Sequence, residues 1–205
     1  RLEDNVKGCT LGVREIDPHI EVFRRFGGRV EHGEGSLIVR CDGALHATQH
    51  WLDYASVTTT ENFVLCAATA EGTSVLTNAA CEPHVQEFCR FMVMLGAKIE
   101  GIGTSRLTVH GVKELGGGAF HFEEDFHEIT TFLALGVITG GDVQVRNRTP
   151  DNFPLIDRTF AKFGVKIEHK DGWSRAIRTG PLKVETPFTR NVLTKVEAAP
   201  WPYFP

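Results

Sequence analysis

One short phrase occurs three times along the chain: Phe26-Gly27-Gly28-Arg29-Val30-Glu31, Leu95-Gly96-Ala97-Lys98-Ile99-Glu100 and Phe163-Gly164-Val165-Lys166-Ile167-Glu168. Gly27, Gly96 and Gly164 lie 69 and 68 residues apart. Two nearly equal intervals mark a repeated structural unit, which confines the chain to architectures made by duplicating one supersecondary element.

The surroundings of each phrase repeat as well. Upstream, 17–26, 82–95 and 151–163 carry apolar residues at helical spacing: Ile20, Phe23 and Phe26; Val85, Phe88, Met92 and Leu95; Ile156, Phe160 and Phe163. Asp17-Pro18, Glu82-Pro83 and Pro150-Asp151 supply start signals for those helices. The phrase glycine ends each one, since glycine takes a left-handed backbone without steric cost. Downstream, paired strands follow at 29–31 and 36–40, 98–100 and 106–110, and 166–169 and 174–178. The later two units add an earlier helix, 61–70 or 128–135, and a strand at 74–78 or 142–147. The full unit reads strand, helix, strand, helix, strand, strand. That order predicts an α/β (α+β) class with mixed strand directions, not a doubly wound parallel sheet.

With 205 residues the chain has room for one large or two small domains. Hydrophobic residues at 41% and charged residues at 23% fit an ordinary globular core and exclude a disordered class. No apolar run approaches the roughly 18 residues that span a bilayer, and Arg1-Leu2-Glu3-Asp4-Asn5 has no signal-peptide pattern. An odd set of five cysteines, Cys9, Cys41, Cys66, Cys81 and Cys89, suits reduced thiols in the cytoplasm. A net charge of −4 gives no general pull on polyanions, so an anionic ligand needs a local cluster of cations and backbone amides.

Three stretches offer chemistry. Gly8-Cys9-Thr10-Leu11-Gly12 sets a thiol between glycines with Lys7 and Arg14 nearby, a reactive cysteine or an ordinary loop residue. Arg14-Glu15-Ile16-Asp17-Pro18-His19 runs into the first helix and offers either an anion site or a plain helix start. The hydroxyl-rich 53–62 is a phosphate cradle or a capping segment, and its spacing favours the cap. Cys81, His84 and Cys89, like His46 and His50, do not supply four convergent ligands, so no metal is expected. Gly116-Gly117-Gly118 lacks the Lys-Ser/Thr of a phosphate loop and reads as a connector.

Taken in order, Gly8-Cys9-Thr10-Leu11-Gly12-Val13-Arg14, Ser56-Val57-Thr58-Thr59-Thr60-Glu61-Asn62, Ala70-Glu71-Gly72-Thr73, Asn78-Ala79-Ala80-Cys81-Glu82-Pro83 and Met94-Leu95-Gly96-Ala97-Lys98-Ile99 resemble the enolpyruvyl transferases. Within them the likeness is to the UDP-N-acetylglucosamine 1-carboxyvinyltransferase family. Gly101-Ile102-Gly103-Thr104 and Thr108-Val109-His110-Gly111-Val112 continue it.

The resemblance implies an inside-out α/β barrel of repeated βαβαββ units with helices packed inside. It implies transfer of enolpyruvyl from phosphoenolpyruvate to UDP-N-acetylglucosamine in peptidoglycan precursor synthesis, with no cofactor. Cys9 would be the catalytic loop cysteine that fosfomycin alkylates. Arg14, Glu15, Ile16, Asp17 and Pro18 would hold the uridine part of the acceptor, and Tyr54, Ala55, Ser56 and Val57 would form a second nucleotide-binding segment. Residues 1–122 would belong to the catalytic-loop domain and 123–205 to the second.

The chain departs from the family pattern at Glu15, where the family has proline, and at Thr58-Thr59, where it has Gly-Ala. It departs again at Glu124-Asp125-Phe126-His127-Glu128, where an Arg is lost. These changes bear on the acceptor, leaving open another nucleotide acceptor or a noncatalytic nucleotide-binding module. The start without Met and the stretch Ala199-Pro200-Trp201-Pro202-Tyr203-Phe204-Pro205 point to a piece of a longer protein. That piece is expected to be inactive alone, since the family's general-base Asp and phosphoenolpyruvate-binding Lys and Arg have no counterparts in it.

Overall fold

A computed structural model describes residues 15–189 and 194–203, together with the backbone of Leu2 and Glu3. The chain divides into two compact units, Arg1–Phe120 and His121–Pro205.

In the first unit β1 (Leu2–Glu3) pairs antiparallel with β3, and α1 (Asp17–Arg25) leads into the hairpin of β2 (Arg29–Gly33) and β3 (Ser36–Arg40). Next comes one complete repeat: β4 (Gln49–Trp51), α2 (Val57–Ala68), β5 (Thr73–Thr77), α3 (Pro83–Met94), β6 (Lys98–Glu100) and β7 (Arg106–His110). Its strands lie in the order β4-β5-β7-β6. β4 and β5 are parallel because α2 crosses over between them, whereas β5–β7 and β6–β7 are antiparallel. The second unit repeats the pattern with α4 (Phe126–Thr139), β8 (Gln144–Arg146), α5 (Pro154–Ala161), β9 (Val165–Lys170) and β10 (Trp173–Arg178), in a sheet ordered β8-β10-β9.

The repeated glycines carry the expected backbone: φ is +95° at Gly27, +107° at Gly96 and +74° at Gly164. At the first, Gly28 N–H donates to Phe23 O at 2.8 Å; at the second, Ala97 N–H donates to Met92 O at 3.0 Å. These are six-to-one bonds of the Schellman type, which satisfy carbonyls that a helix end leaves open.

Apolar periodicity predicts the buried faces with local shifts. In α1, Val22 and Phe26 are fully buried, while Ile20 and Phe23 are half-buried. Phe26 meets Phe63 of α2 edge to face at 5.1 Å, at the centre of a core that also holds Val64, Leu76, Met92, Leu107 and Val109. The second unit has its own core around Ile129, Leu133, Phe153, Ile156 and Val165.

Several boundaries differ from expectation: α4 runs over 126–139 where 128–135 was expected, and β8 over 144–146 where 142–147 was expected. A 3-10 turn at Pro150–Asn152 precedes α5, because Pro150 and Pro154 each open a separate turn. Helix α2 begins at Val57, not 61, for reasons that belong to the candidate site. α4 is apolar nearly all round. It buries Ile129 and Leu133 but leaves Phe132, Leu135 and Ile138 exposed; Leu135 and Ile138 line a groove of about 760 Å³ with Ala134, Phe160 and Phe163.

Candidate functional site

The two stretches assigned to an acceptor nucleotide both lie at helix starts of the first unit. Glu15 and Ile16 lead into α1, whose first turn contains Asp17 and Pro18; the proline ring presets the helical φ and removes a backbone N–H that would have no intrahelical partner. Glu15 and Asp17 are exposed, Ile16 and Pro18 half-buried. Tyr54, Ala55 and Ser56 lead into α2, where Val57 is the first helical residue. Ser56 is its N-cap: the Oγ accepts from Thr59 N–H at 3.4 Å and donates to Thr59 Oγ1 at 2.8 Å. The capping role expected from spacing is what these atoms perform.

The Ser56 end is tied down from beneath. Thr60, fully buried, donates its hydroxyl to Ser56 O at 2.7 Å and accepts from Ala80 N–H at 3.0 Å. Asn78 Nδ2 donates to Leu52 O at 2.9 Å, and Leu52 N–H donates to Thr77 O at 3.0 Å. Both flanks of residues 53–56 are therefore bonded to the stretch that follows β5. Helix formation starts early because the Thr60 hydroxyl folds back onto its own first turn, a bond that offsets the reluctance of β-branched residues to enter helices.

One side chain joins the two helix starts. His19, half-buried on α1, accepts at Nδ1 from Asn62 Nδ2 at 2.7 Å. Its Nε2 lies 3.4 Å from Thr58 Oγ1 and 3.5 Å from Thr59 Oγ1. With the Asn62 amide placed to donate to Nδ1, the neutral ring carries its proton on Nε2, facing the two hydroxyls. Burial lowers the His19 pKa and so favours this neutral form. Sequence reasoning named His19 and Asn62 as members of stretches without assigning them a role. The usable signal was position, for His19 lies two helical turns before Phe26, the residue of α1 that packs on α2.

A second histidine adjoins the same helix. His50 on β4 is buried, with Nδ1 at 3.8 Å from Glu21 Oε1, and Glu21 pairs with Arg25 at 3.0 Å. Burial lowers its pKa against the opposing pull of Glu21. The described cysteines are free thiols. Burial pushes Cys66 and Cys89 up to about 11, which keeps them protonated and unreactive. Among the described residues no group of three or more His, Cys, Asp or Glu side chains is arranged to hold a metal ion.

The arrangement thus brings 15–18 and 54–57 to neighbouring helix starts. Cys9 and Arg14 lie outside the described residues. Glu124, at the expected domain crossing, accepts from Arg148 Nε at 2.9 Å and from Arg148 N–H at 3.2 Å; the backbone bond and the guanidinium hold its carboxyl below the usual range, although partial burial pulls the other way.

The sequence profile of the family described as EPSP synthase (3-phosphoshikimate 1-carboxyvinyltransferase) matches residues 7–201. The chain belongs to this enolpyruvyl transferase family. UDP-N-acetylglucosamine 1-carboxyvinyltransferase of Borrelia garinii subsp. bavariensis is 33% identical over 97% of the chain and 46% of that protein. The protein of the same name from Treponema denticola is 34% identical over the same shares. The chain therefore spans about half the length of the curated relatives it matches.

Among solved structures, the enolpyruvyl transferase NikO from Streptomyces tendae has the same fold, with a TM-score of 0.72 at 20% identity over 82% of this chain and 43% of that one. An EPSP synthase from Acinetobacter baumannii superposes with a TM-score of 0.59 at 18% identity, over 80% and 40% of the two chains.

Proposed function

We propose that the chain is part of a cytoplasmic enzyme that transfers enolpyruvyl from phosphoenolpyruvate to the 3'-hydroxyl of UDP-N-acetylglucosamine, releasing phosphate, in peptidoglycan precursor synthesis. The observation that carries this reading is the acceptor named by the relatives, which match 97% of the chain at 33–34% identity. In this reaction the acceptor oxygen bonds to C2 of phosphoenolpyruvate as a proton is delivered to C3. The tetrahedral adduct then loses phosphate from C2 and a proton from C3, restoring the vinyl group. Such chemistry needs acid–base groups at both carbons, cationic partners for the phosphates and exclusion of water.

Cys9 is assigned the loop position that takes part in proton transfer or product release. Arg14 to Pro18 and Tyr54 to Val57 are assigned to the acceptor, a role supported by the adjacency of the two helix starts in the described part of these stretches. Residues 1–122 and 123–205 are assigned to two domains, each completed by the remainder of a longer chain. The relatives' greater length and the uncovered apolar side of α4 support that assignment. Among the described residues no helix is long and apolar enough to cross a membrane.

A different nucleotide acceptor is the second reading. It is favoured by Thr58, an exposed β-branched residue in the first turn of α2 at a position where the family pattern has glycine. The full-length protein is expected to release phosphate from phosphoenolpyruvate when UDP-N-acetylglucosamine is added, and release with a different nucleotide only would establish the second reading. Fosfomycin added with the sugar nucleotide is expected to modify Cys9, read by mass spectrometry; an unmodified Cys9 removes it from the chemistry.

A further inference from the structure

We propose that His19 is a positioning residue for the acceptor, a latch that fixes residues 15–18 at the start of α1 against residues 54–57 at the start of α2. The proposal rests on the acceptor reading above and adds to it a residue outside the two stretches, bonded to α2. Its basis is the bridge itself. One imidazole on α1 reaches three residues of α2, at 2.7 Å to Asn62, 3.4 Å to Thr58 and 3.5 Å to Thr59. Asn62 and Thr59 lie on successive turns of α2, so the ring is held from two levels and cannot follow one helix without the other.

At the far end of α1, Phe26 packs against Phe63, the residue that follows Asn62 on α2. A hydrogen-bonded contact near the start of α1 and an apolar one at its end thus tie α1 to α2, and the first of them lies beside the two stretches they carry. Thr59 joins this latch to the cap, because its Oγ1 also accepts from Ser56 Oγ at 2.8 Å. A continuous path then runs from α1 through His19 and Thr59 to Ser56, which belongs to the second acceptor segment. The threonines that replace the family's Gly-Ala pair supply the hydroxyls, so this form of the latch is particular to a chain that carries them.

Removal of such a latch loosens the start of α1 from the start of α2. In the full-length protein His19→Ala is expected to raise the acceptor KM about tenfold, while kcat and the KM for phosphoenolpyruvate stay within about twofold. A tenfold change corresponds to about 1.4 kcal/mol, the scale of one net hydrogen bond. His19→Gln retains a donor near the Nε2 position and is expected to recover part of the loss. Asn62→Ala is expected to raise the same KM, and to add little when His19 is already alanine, because the two act as one unit. Nitrogen chemical shifts of the His19 ring at neutral pH should show an unprotonated Nδ1 and a protonated Nε2.

An acceptor KM indifferent to His19, or additive effects of the two substitutions, overturns the latch. Should His19→Ala fail to fold, His19→Gln and Asn62→Ala carry the same comparison. No turnover by the unmodified protein with any nucleotide acceptor defeats the functional reading itself, a result separate from turnover that ignores His19.

Discussion

Thr60 offers a perturbation in which polarity and packing predict opposite rankings. Its hydroxyl is fully buried, donating to Ser56 O at 2.7 Å and accepting from Ala80 N–H at 3.0 Å. Thr60→Val keeps the shape but leaves the Ala80 N–H without its acceptor, at about 1–3 kcal/mol, and removes the bond to Ser56 O, at about 0.5–1.5 kcal/mol. Ser56 O still accepts from Thr60 N–H at 3.0 Å, so its loss belongs at the low end. The sum is about 1.5–3.5 kcal/mol. Thr60→Ser keeps both bonds and loses one buried methyl, about 1 kcal/mol.

The prediction is that the serine variant is the more stable, although valine is the more apolar and the closer match in shape. Equilibrium urea unfolding, followed by amide resonances of the first unit, gives the ranking; hydrogen exchange at the Ala80 amide reports the lost bond directly. A valine variant as stable as the serine one, with Ala80 still protected, would refute the assignment of Thr60 as the tie beneath residues 53–56.

Three further outcomes follow from the same geometry. His19 has its folded pKa lowered below the usual value near 6.5, so its contribution is full above that value and is lost as pH falls through the depressed folded one. The stability margin of the wild type over His19→Gln should therefore shrink on acidification below about pH 6.5 in urea titrations, and a margin that widens contradicts the neutral ring. Cys66 and Cys89 should resist a thiol reagent at pH 7.5 until the chain unfolds, while exposed Cys41 reacts at once; modification rates resolved by peptide mass spectrometry decide it. Gly111→Ala should cost about 2–3 kcal/mol in urea unfolding, because the added methyl would run into the Ala70 carbonyl oxygen and backbone on either side leaves it little room.

The repeat was legible because its defining demand is local. A helix that must reverse into a strand needs a left-handed residue, and Gly27, Gly96 and Gly164 meet that need in place. The apolar stripes of α1 and α3 were readable for a similar reason, since burial follows from spacing of three and four residues; in the third, Ile156 and Phe160 are buried, but Phe163 falls beyond the end of α5 and is exposed. The start of α2 was not readable in the same way. Val57 to Thr60 is a β-branched run, which by propensity alone does not open a helix, and it does so through the Ser56 cap and the bonds of Thr60 to Ser56 and Ala80.

Within the candidate site, the position of 15–18 at a helix start followed from Asp17-Pro18, whereas that of 54–57 did not, because α2 starts four residues before the expected 61. Their adjacency did not, for the contacts that produce it join His19 to residues 39 to 43 positions away. A histidine near a helix start gives no sign in sequence of which distant side chains it meets. The same limit applies to His50, which is buried on a three-residue strand beside Glu21 of another element.

Acceptor choice is the centre of the account, and one competition measures it. The full-length protein is given phosphoenolpyruvate together with UDP-N-acetylglucosamine and shikimate 3-phosphate in equal amounts, and the products are separated and weighed by mass spectrometry. The account predicts an enolpyruvyl group on the sugar nucleotide alone, whereas an adduct on shikimate 3-phosphate with the nucleotide untouched would contradict it.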